Sequence, residues 1–337
     1  MTDSGTKPVK FSILDLSSVL QGSDVKSALD RSLALAQHGE AHGYERFWMA
    51  EHHGMEGIAS AATAVALAHI GQGTKSIRIG AGGIMLPNHA PMVIAEQFGT
   101  LEALYPGRID LGLGRAPGSD QRTAQALRRN LNSDANEFPR DVIELQALLA
   151  GDERLGIQAT PGQGTNIPLY ILGSSLFGAQ LAAALGLPYA FASHFAPQML
   201  DQALEIYRRD FKPSEQLGEP YVMCGFNIFA ADSDAEADFL SSSMLQSFVA
   251  LRTGNPGKLP PPVDGYRENL PPQAQSMIEQ IMQGSAVGTP DKVKQAVDRF
   301  IDHTGADELI ITGSIFDQAA REKSYSIAAN IRELIAA

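Results

Sequence analysis

Cysteine is almost absent. Cys224 is the single thiol in 337 residues, which excludes an intramolecular disulfide and any zinc site built on cysteines. It lies in the apolar run Tyr221-Val222-Met223-Cys224-Gly225-Phe226 and reads as a buried strand thiol. Long apolar runs are missing too: no stretch reaches the ~18 residues of a helical membrane span. Met1 to Val9 is polar and lacks the charged start, apolar centre and small-residue cleavage site of a secretory signal. The expected location is therefore the cytoplasm. Positive charge is scarce: Lys+Arg 26 against Asp+Glu 38 gives a formal net charge of −12. Arg128-Arg129 and Arg208-Arg209 are isolated pairs rather than a basic face. Neither nucleic acid nor an anionic membrane is expected as a partner. No repeat of solenoid period is visible.

What is present is a globular composition, 44% hydrophobic and 19% charged. The length suits one α/β barrel with insertions, and the expected organisation is one domain over residues 1–337. Short apolar runs alternate with helical segments. The strands read as Lys10–Asp15, Phe47–Ala50, Ser76–Gly80, Arg108–Leu113, Pro168–Leu172, Tyr189–Ala192, Val222–Ala230 and Glu308–Ile311. The helices between them read as Asp24–Ala41, Ala59–Ile70, Pro91–Leu104, Asn136–Ala150, Phe177–Leu185, Pro197–Phe211 and Asp234–Leu251, with a last one ending near Ile335. In the first helix Val25, Leu29, Leu33 and Ala36 form one stripe, Asp24 is placed to cap it and Gly43 to break it. Eight strands, each followed by a helix, predict a closed (β/α)8 barrel, with an open doubly wound sheet as the alternative. Arg252 to Gly288, with Pro260-Pro261-Pro262 and Pro271-Pro272, breaks the rhythm. It is too long for a structureless connection and reads as an insertion on the carboxyl-end face.

That face is where such barrels carry their sites, and polar and glycine residues collect there. Glu51-His52-His53 follows the second strand, Gly82-Gly83 and Pro87-Asn88-His89 the third, and Gly114-Arg115-Ala116-Pro117-Gly118 the fourth. Gly173-Ser174-Ser175 follows the fifth and Ser193-His194 the sixth. Neighbouring residues at a strand end point in different directions, so one of His52 and His53 faces the cavity as acid, base or donor. A metal reading needs several converging ligands, with His89 and His194 as contributors, and no metal is expected. The bland reading is a set of polar groups bonding one another under a loop. Gly173-Ser174-Ser175 precedes a helix: it is either a simple cap or a phosphate cradle, and Arg115 on the neighbouring strand end supplies a countercharge. Gly82-Gly83 is either a turn or bare backbone for a flat ligand.

Four segments together resemble the luciferase-like monooxygenases, a flavin-dependent (β/α)8 family. They are Tyr44 through His53 (YERFWMAEHH), Gly80 through Pro91 (GAGGIMLPNHAP), Pro106 through Arg115 (PGRIDLGLGR) and Tyr170 through Ser175 (YILGSS). The resemblance implies an oxidoreductase that uses reduced FMN, supplied by a separate NAD(P)H-dependent flavin reductase, and O2 to oxidise a small organic substrate. It implies His52 as the catalytic residue near the flavin. It implies Glu51, Gly82, Gly83, Arg115, Ser174, Ser175, Gly178 and Ser193 as cofactor-binding residues, with a non-proline cis peptide at Gly82-Gly83. A homodimer is expected on the same analogy. Ser174 and Gly178 depart from luciferase, which has a carboxylate residue and a threonine there, and Gly114 stands where luciferase has a cysteine. A deazaflavin (F420)-dependent hydride transfer shares the fold family and is the alternative activity. A non-catalytic flavin-binding relative is the third reading.

Overall fold

The computed structural model describes residues 8–116, 121–127 and 137–336. Pro117, Gly118, Arg128, Arg129 and Asn136 lie outside these residues. In chain order the elements are β1 (Lys10–Asp15), α1 (Val25–Ala41), β2 (Arg46–Met49), α2 (Thr63–Gly73), β3 (Arg78–Met85), α3 (Pro91–Leu104) and β4 (Ile109–Gly114). Then come α4 (Gln121–Ala126), α5 (Phe138–Ala150), β5 (Leu169–Gly173), α6 (Leu176–Leu185), β6 (Tyr189–Phe191), α7 (Leu200–Asp210) and β7 (Val222–Ala230). The chain finishes with α8 (Asp234–Arg252), α9 (Pro272–Met282), β8 (Ser285–Gly288), α10 (Pro290–Thr304), β9 (Glu308–Thr312) and α11 (Gln318–Ala336).

Eight of these strands close into a parallel barrel in the order β1-β2-β3-β4-β5-β6-β7-β9, with β9 returning to β1. The predicted (β/α)8 fold is the one observed, and the open sheet is not. Period-2 alternation sorts each strand's side chains. Phe11, Ile13, Phe47, Met49, Ile79, Leu111, Ile171 and Leu309 face the helices and build the main core. Residues of the other parity face the lumen, where Leu14, Trp48, Ala50, Tyr170, Ala190, Met223 and Ile310 form a separate cluster. Asp24 caps α1 as expected, its carboxylate accepting from Ser27 N at 2.8 Å. Cys224 is buried on the helix-facing side of β7, and burial pushes its thiol up to about 12.

Three expectations need correction. First, the stretch from Arg252 to Gly288 holds α9 and a ninth strand, β8. The nine residues of β7 divide their partners: Met223–Asn227 pair with β9, and Asn227–Ala230 pair with β8. Second, α10 was not anticipated, yet it buries Val293, Val297 and Phe300 in the main core. The expected barrel helix, α8, instead buries Leu240, Leu245 and Phe248 in a second cluster with Ile278 and Ile281 of α9. Third, β3 runs on through Gly82-Gly83 to Met85, so this pair sits within the strand, at a register shift against β4, and not after it. The segment leading out of α8 crosses to the mouth. Leu259 N donates to Val19 O and its carbonyl accepts from Gln21 N, each at 2.9 Å, which ties it to the loop after β1.

The amino-terminal end of the lumen is a buried ion network. Arg46 Nε and Nη2 donate to the two oxygens of Glu308 at 2.8 and 3.2 Å, and Nη1 donates to Asp110 Oδ2 at 2.6 Å and to Tyr170 Oη at 2.9 Å. Arg78 Nε and Nη2 donate to Asp110 Oδ1 at 3.0 and 2.5 Å. Tyr221 Oη donates to Glu308 at 2.7 Å, Trp48 Nε1 to Asp110 at 3.2 Å, and the Ser12 hydroxyl also donates to Glu308. Burial opposes the Arg46 charge, but Glu308 and Asp110 hold its pKa well above the ordinary value. Two cations face two anions, so this floor carries no net charge.

Candidate active site

The opposite end of the lumen is built from the strand ends. Glu51, two residues past the end of β2, is fully buried. Its Oε1 accepts from His53 Nε2 at 2.6 Å and His89 Nε2 at 2.8 Å, and its Oε2 accepts from Met85 N at 3.0 Å. Burial raises the carboxyl pKa, but the bonds and charge from His89 and His53 outweigh it and leave the pKa below the ordinary value. One carboxylate therefore fastens the end of β2 to the end of β3. The ligand atoms of Glu51, His53 and His89 lie within 4.8 Å of one another, a spacing that can hold a metal ion. The Glu51 oxygens are already satisfied by N–H donors, which is the bland reading of Glu51-His52-His53 made concrete for two of its three residues.

His52 is half-buried and falls at the lumen parity set by Trp48 and Ala50. Its charge acts on His194, which follows β6. Burial first, and the charge of His52 second, lower the His194 pKa to about 4. The two histidines thus belong to one mouth. Ser193, expected among the cofactor-binding residues, is fully buried, and its hydroxyl donates to Gly225 O at 2.7 Å. That hydroxyl is committed beneath the mouth rather than open to a ligand.

The Gly82-Gly83 peptide is cis. Neither position tolerates a side chain in the closed barrel. A Cβ at Gly82 would lie 2.9 Å from Trp48 Cε3, and one at Gly83 would lie 2.6 Å from Gly112 O. Packing alone explains both glycines: Gly82 is half-buried and Gly83 buried. Gly114 is covered by Met85, whose Sδ would be 2.8 Å from a Cβ there.

The residues expected to cradle a phosphate share one rim. Gly114 and Leu172 are register partners, so the ends of β4 and β5 are adjacent. Arg115 stacks its guanidinium over the Phe177 ring at 4.1 Å in the first turn of α6. Ser175 is the N-cap of that helix but makes no side-chain capping bond. Its hydroxyl and the first-turn N–H groups are left to other acceptors. Ser174 and Ser175 are exposed, whereas Gly178 is buried against the end of β5, where its Cα would be 3.8 Å from a Cβ on Gly173. A cation, two hydroxyls and a helix amino terminus at one rim fit an anionic group.

This arrangement has relatives. The family profile of the luciferase-like monooxygenases matches residues 9–308. The chain belongs to that family. A luciferase-like monooxygenase of Escherichia coli strain K12 is 52% identical over 334 residues, 99% of each chain. N-acetyl-S-alkylcysteine monooxygenase of Bacillus subtilis strain 168 is 30% identical over 328 residues, 95% of this chain and 97% of its own. Among solved structures, apo-MsnO8 superposes with a TM-score of 0.86 at 33% identity, covering 97% of this chain and 99% of its own. The family resemblance read from the four motifs is therefore correct, and with it the class of oxidoreductase. No helix among the described residues is long and apolar enough to cross a membrane.

Two features of this luciferase-like mouth escaped the sequence reading. Phe177 as the platform under Arg115 had no local signal. The clasp of His53 and His89 on Glu51 joins residues 2 and 38 positions away, and only the strand order brings the second of them close.

Proposed function

We propose that the chain is a flavin-dependent monooxygenase that takes reduced FMN from a separate flavin reductase and uses O2 to oxidise a small organic substrate. The observation that carries this reading is the convergence of Arg115, Phe177 and the uncapped amino terminus of α6 at one rim of the barrel, in a member of a monooxygenase family. Reduced FMN, when bound, supplies two electrons to oxygen. The chain's own residues do the rest. Arg115, Ser174, Ser175 and the α6 N–H groups hold the phosphate. The wall at Gly82-Gly83 offers the flat surface, and His52 holds and moves a proton at the lumen side. Glu51 is a positioning residue that fixes the β2 and β3 ends around that wall through His53, His89 and Met85 N. The reading extends to a homodimer, which sedimentation at one chain's mass would refute.

The test is anaerobic titration with photoreduced FMN, followed by oxygen-uptake measurement on readmitting air, with reduced F420 in a parallel arm. Loss of a charge-assisted phosphate contact costs about 1.5–3 kcal/mol, so Arg115→Ala should raise the Kd for reduced FMN about 10–100-fold. His52→Ala should leave FMN binding in place and lower substrate-dependent oxygen uptake. Saturable binding of reduced F420 with none of FMN would overturn the proposal in favour of hydride transfer.

A further inference from the structure

The roles given above leave His194 unused. Its Nδ1 is buried with no hydrogen-bond partner among the described residues. The ring lies over β7 where Gly225 leaves room: a Cβ there would be 1.9 Å from His194 Nδ1. A second glycine, Gly284, makes way for the same turn, since its Cβ would come 2.3 Å from Ser193 O. Two hydrogen bonds then pin the turn between those glycines. Ser193 Oγ donates to Gly225 O at 2.7 Å, and Asn227 Nδ2 donates to His194 O at 2.8 Å. Residues after β6, within β7 and just before β8 thus cooperate to hold one imidazole in place. A histidine serving only as filler would carry the cost of an unsatisfied buried nitrogen that an apolar side chain would not.

The orientation says what the ring offers. Nδ1 faces strand backbone with no partner. An orphan lone pair is tolerated better than an orphan N–H, which assigns the proton to Nε2. His194 as a whole is half-buried, and with Nδ1 buried against strand backbone Nε2 is the nitrogen left to serve a ligand. With its pKa lowered to about 4 by burial and by the charge of His52, the ring is neutral at neutral pH. Below it the lumen is apolar, lined by Leu14, Trp48, Met223 and Ile310. The lumen's charged groups on the floor, Arg46, Asp110 and Glu308, are already paired with one another or with Arg78. An ionised substrate would find no free counter-charge among these floor groups.

We propose that His194 is a substrate-binding residue whose Nε2–H donates a hydrogen bond to an oxygen atom of an uncharged substrate, the apolar body of which lies against Trp48, Met223 and Ile310. The word substrate rests on the function proposed above; the donor itself does not. The experiment uses the full-length protein labelled with 15N-histidine and contains no flavin. Long-range 1H–15N spectra read the tautomer at pH 7. Titration with cyclohexanone and with methylenecyclohexane then compares two molecules of one shape that differ in the oxygen. The expected result is a neutral Nε2–H ring, with cyclohexanone moving the His194 resonance and binding about fivefold tighter than the hydrocarbon, the effect of one neutral hydrogen bond. His194→Phe should abolish that preference and His194→Gln retain part of it. A protonated or Nδ1–H ring in the unmodified protein, absent or equal binding of the ketone, or a preference that survives in H194F would overturn the proposal. If oxygen uptake fails while the ketone preference stands, the flavin reading is at fault and not the donor.

Discussion

The two ends of the barrel lumen treat polar groups in opposite ways. At the floor Arg46, Arg78, Asp110 and Glu308 answer one another with hydrogen bonds of 2.5–3.2 Å, and Tyr170, Tyr221, Trp48 and Ser12 take up the remaining valences. At the mouth, among the described residues, His194 Nδ1 is buried without a partner, the cap of α6 is unmade, and two serines are exposed. Both ends hang from the same strands, so the difference is not one of scaffold. A satisfied polar layer rigidifies, and an unsatisfied one at the carboxyl-end face of a barrel invites a ligand. Local conflict with good packing is thus confined to one end.

The largest effect should come from breaking the floor. Arg46→Met removes one cation and leaves Glu308 and part of Asp110 buried without their partner, a change of about 3–5 kcal/mol in unfolding free energy. Urea denaturation checks it, and a loss below ~1 kcal/mol would mean that water reaches the floor. Next comes Gly225→Ala. The added methyl lands on His194 Nδ1, and overpacking of this kind costs about 1–3 kcal/mol. Thermal melting should show the loss, while the His194 resonance moves; an unchanged resonance would refute the clamp described for that ring. Glu51→Gln should cost less, about 1–2 kcal/mol, because the amide keeps one acceptor for Met85 N or a histidine. Its oxygen uptake should fall by more than its stability, and equal falls would reduce Glu51 to a structural prop.

A pH slope also separates the two ends. His194 has its pKa lowered from 6.5 to about 4 in the fold. The unfolded chain therefore binds its proton first, and the stability held above about pH 6.5 declines as pH falls toward 4. Unfolding free energy measured between pH 7 and 4 should decline less steeply in His194→Gln than in the parent, by at most one proton. The floor arginine, raised rather than lowered, contributes no slope in that window. Parallel curves for the two proteins would contradict the burial of His194.

The barrel was legible because its strands carry dense apolar runs and its helices carry stripes, and the α1 cap was legible because Asp24 precedes a clear stripe. The end of the chain was harder. Val293, Val297, Phe300 and Ile301 do repeat at helical spacing, Pro290 opens α10 and Gly305 closes it in the left-handed region. The proline-rich stretch just upstream masks that signal. Strand β8 is four residues long with Gly288 at its end, too short to rise above a loop. The mouth residues were found because strand ends announce themselves; Arg115 and the serines converge at the rim, while the Ser193 hydroxyl turned inward. The floor was invisible. Its members stand up to 296 positions apart, each in a strand whose neighbours are apolar, and only closure of the barrel brings them together.

That separation has a consequence for how the molecule is made. Arg46 meets Glu308 across 262 positions of sequence, and β9 is the strand that joins β7 to β1. As the chain leaves the ribosome, Arg46 emerges long before its principal counter-ion. A nascent or truncated chain that stops short of β9 holds a guanidinium lacking Glu308 and presents the unpaired edges of β1 and β7, the features that draw aggregation and proteolysis. The floor network is therefore a seal of completion, closed only when synthesis has reached the last strand.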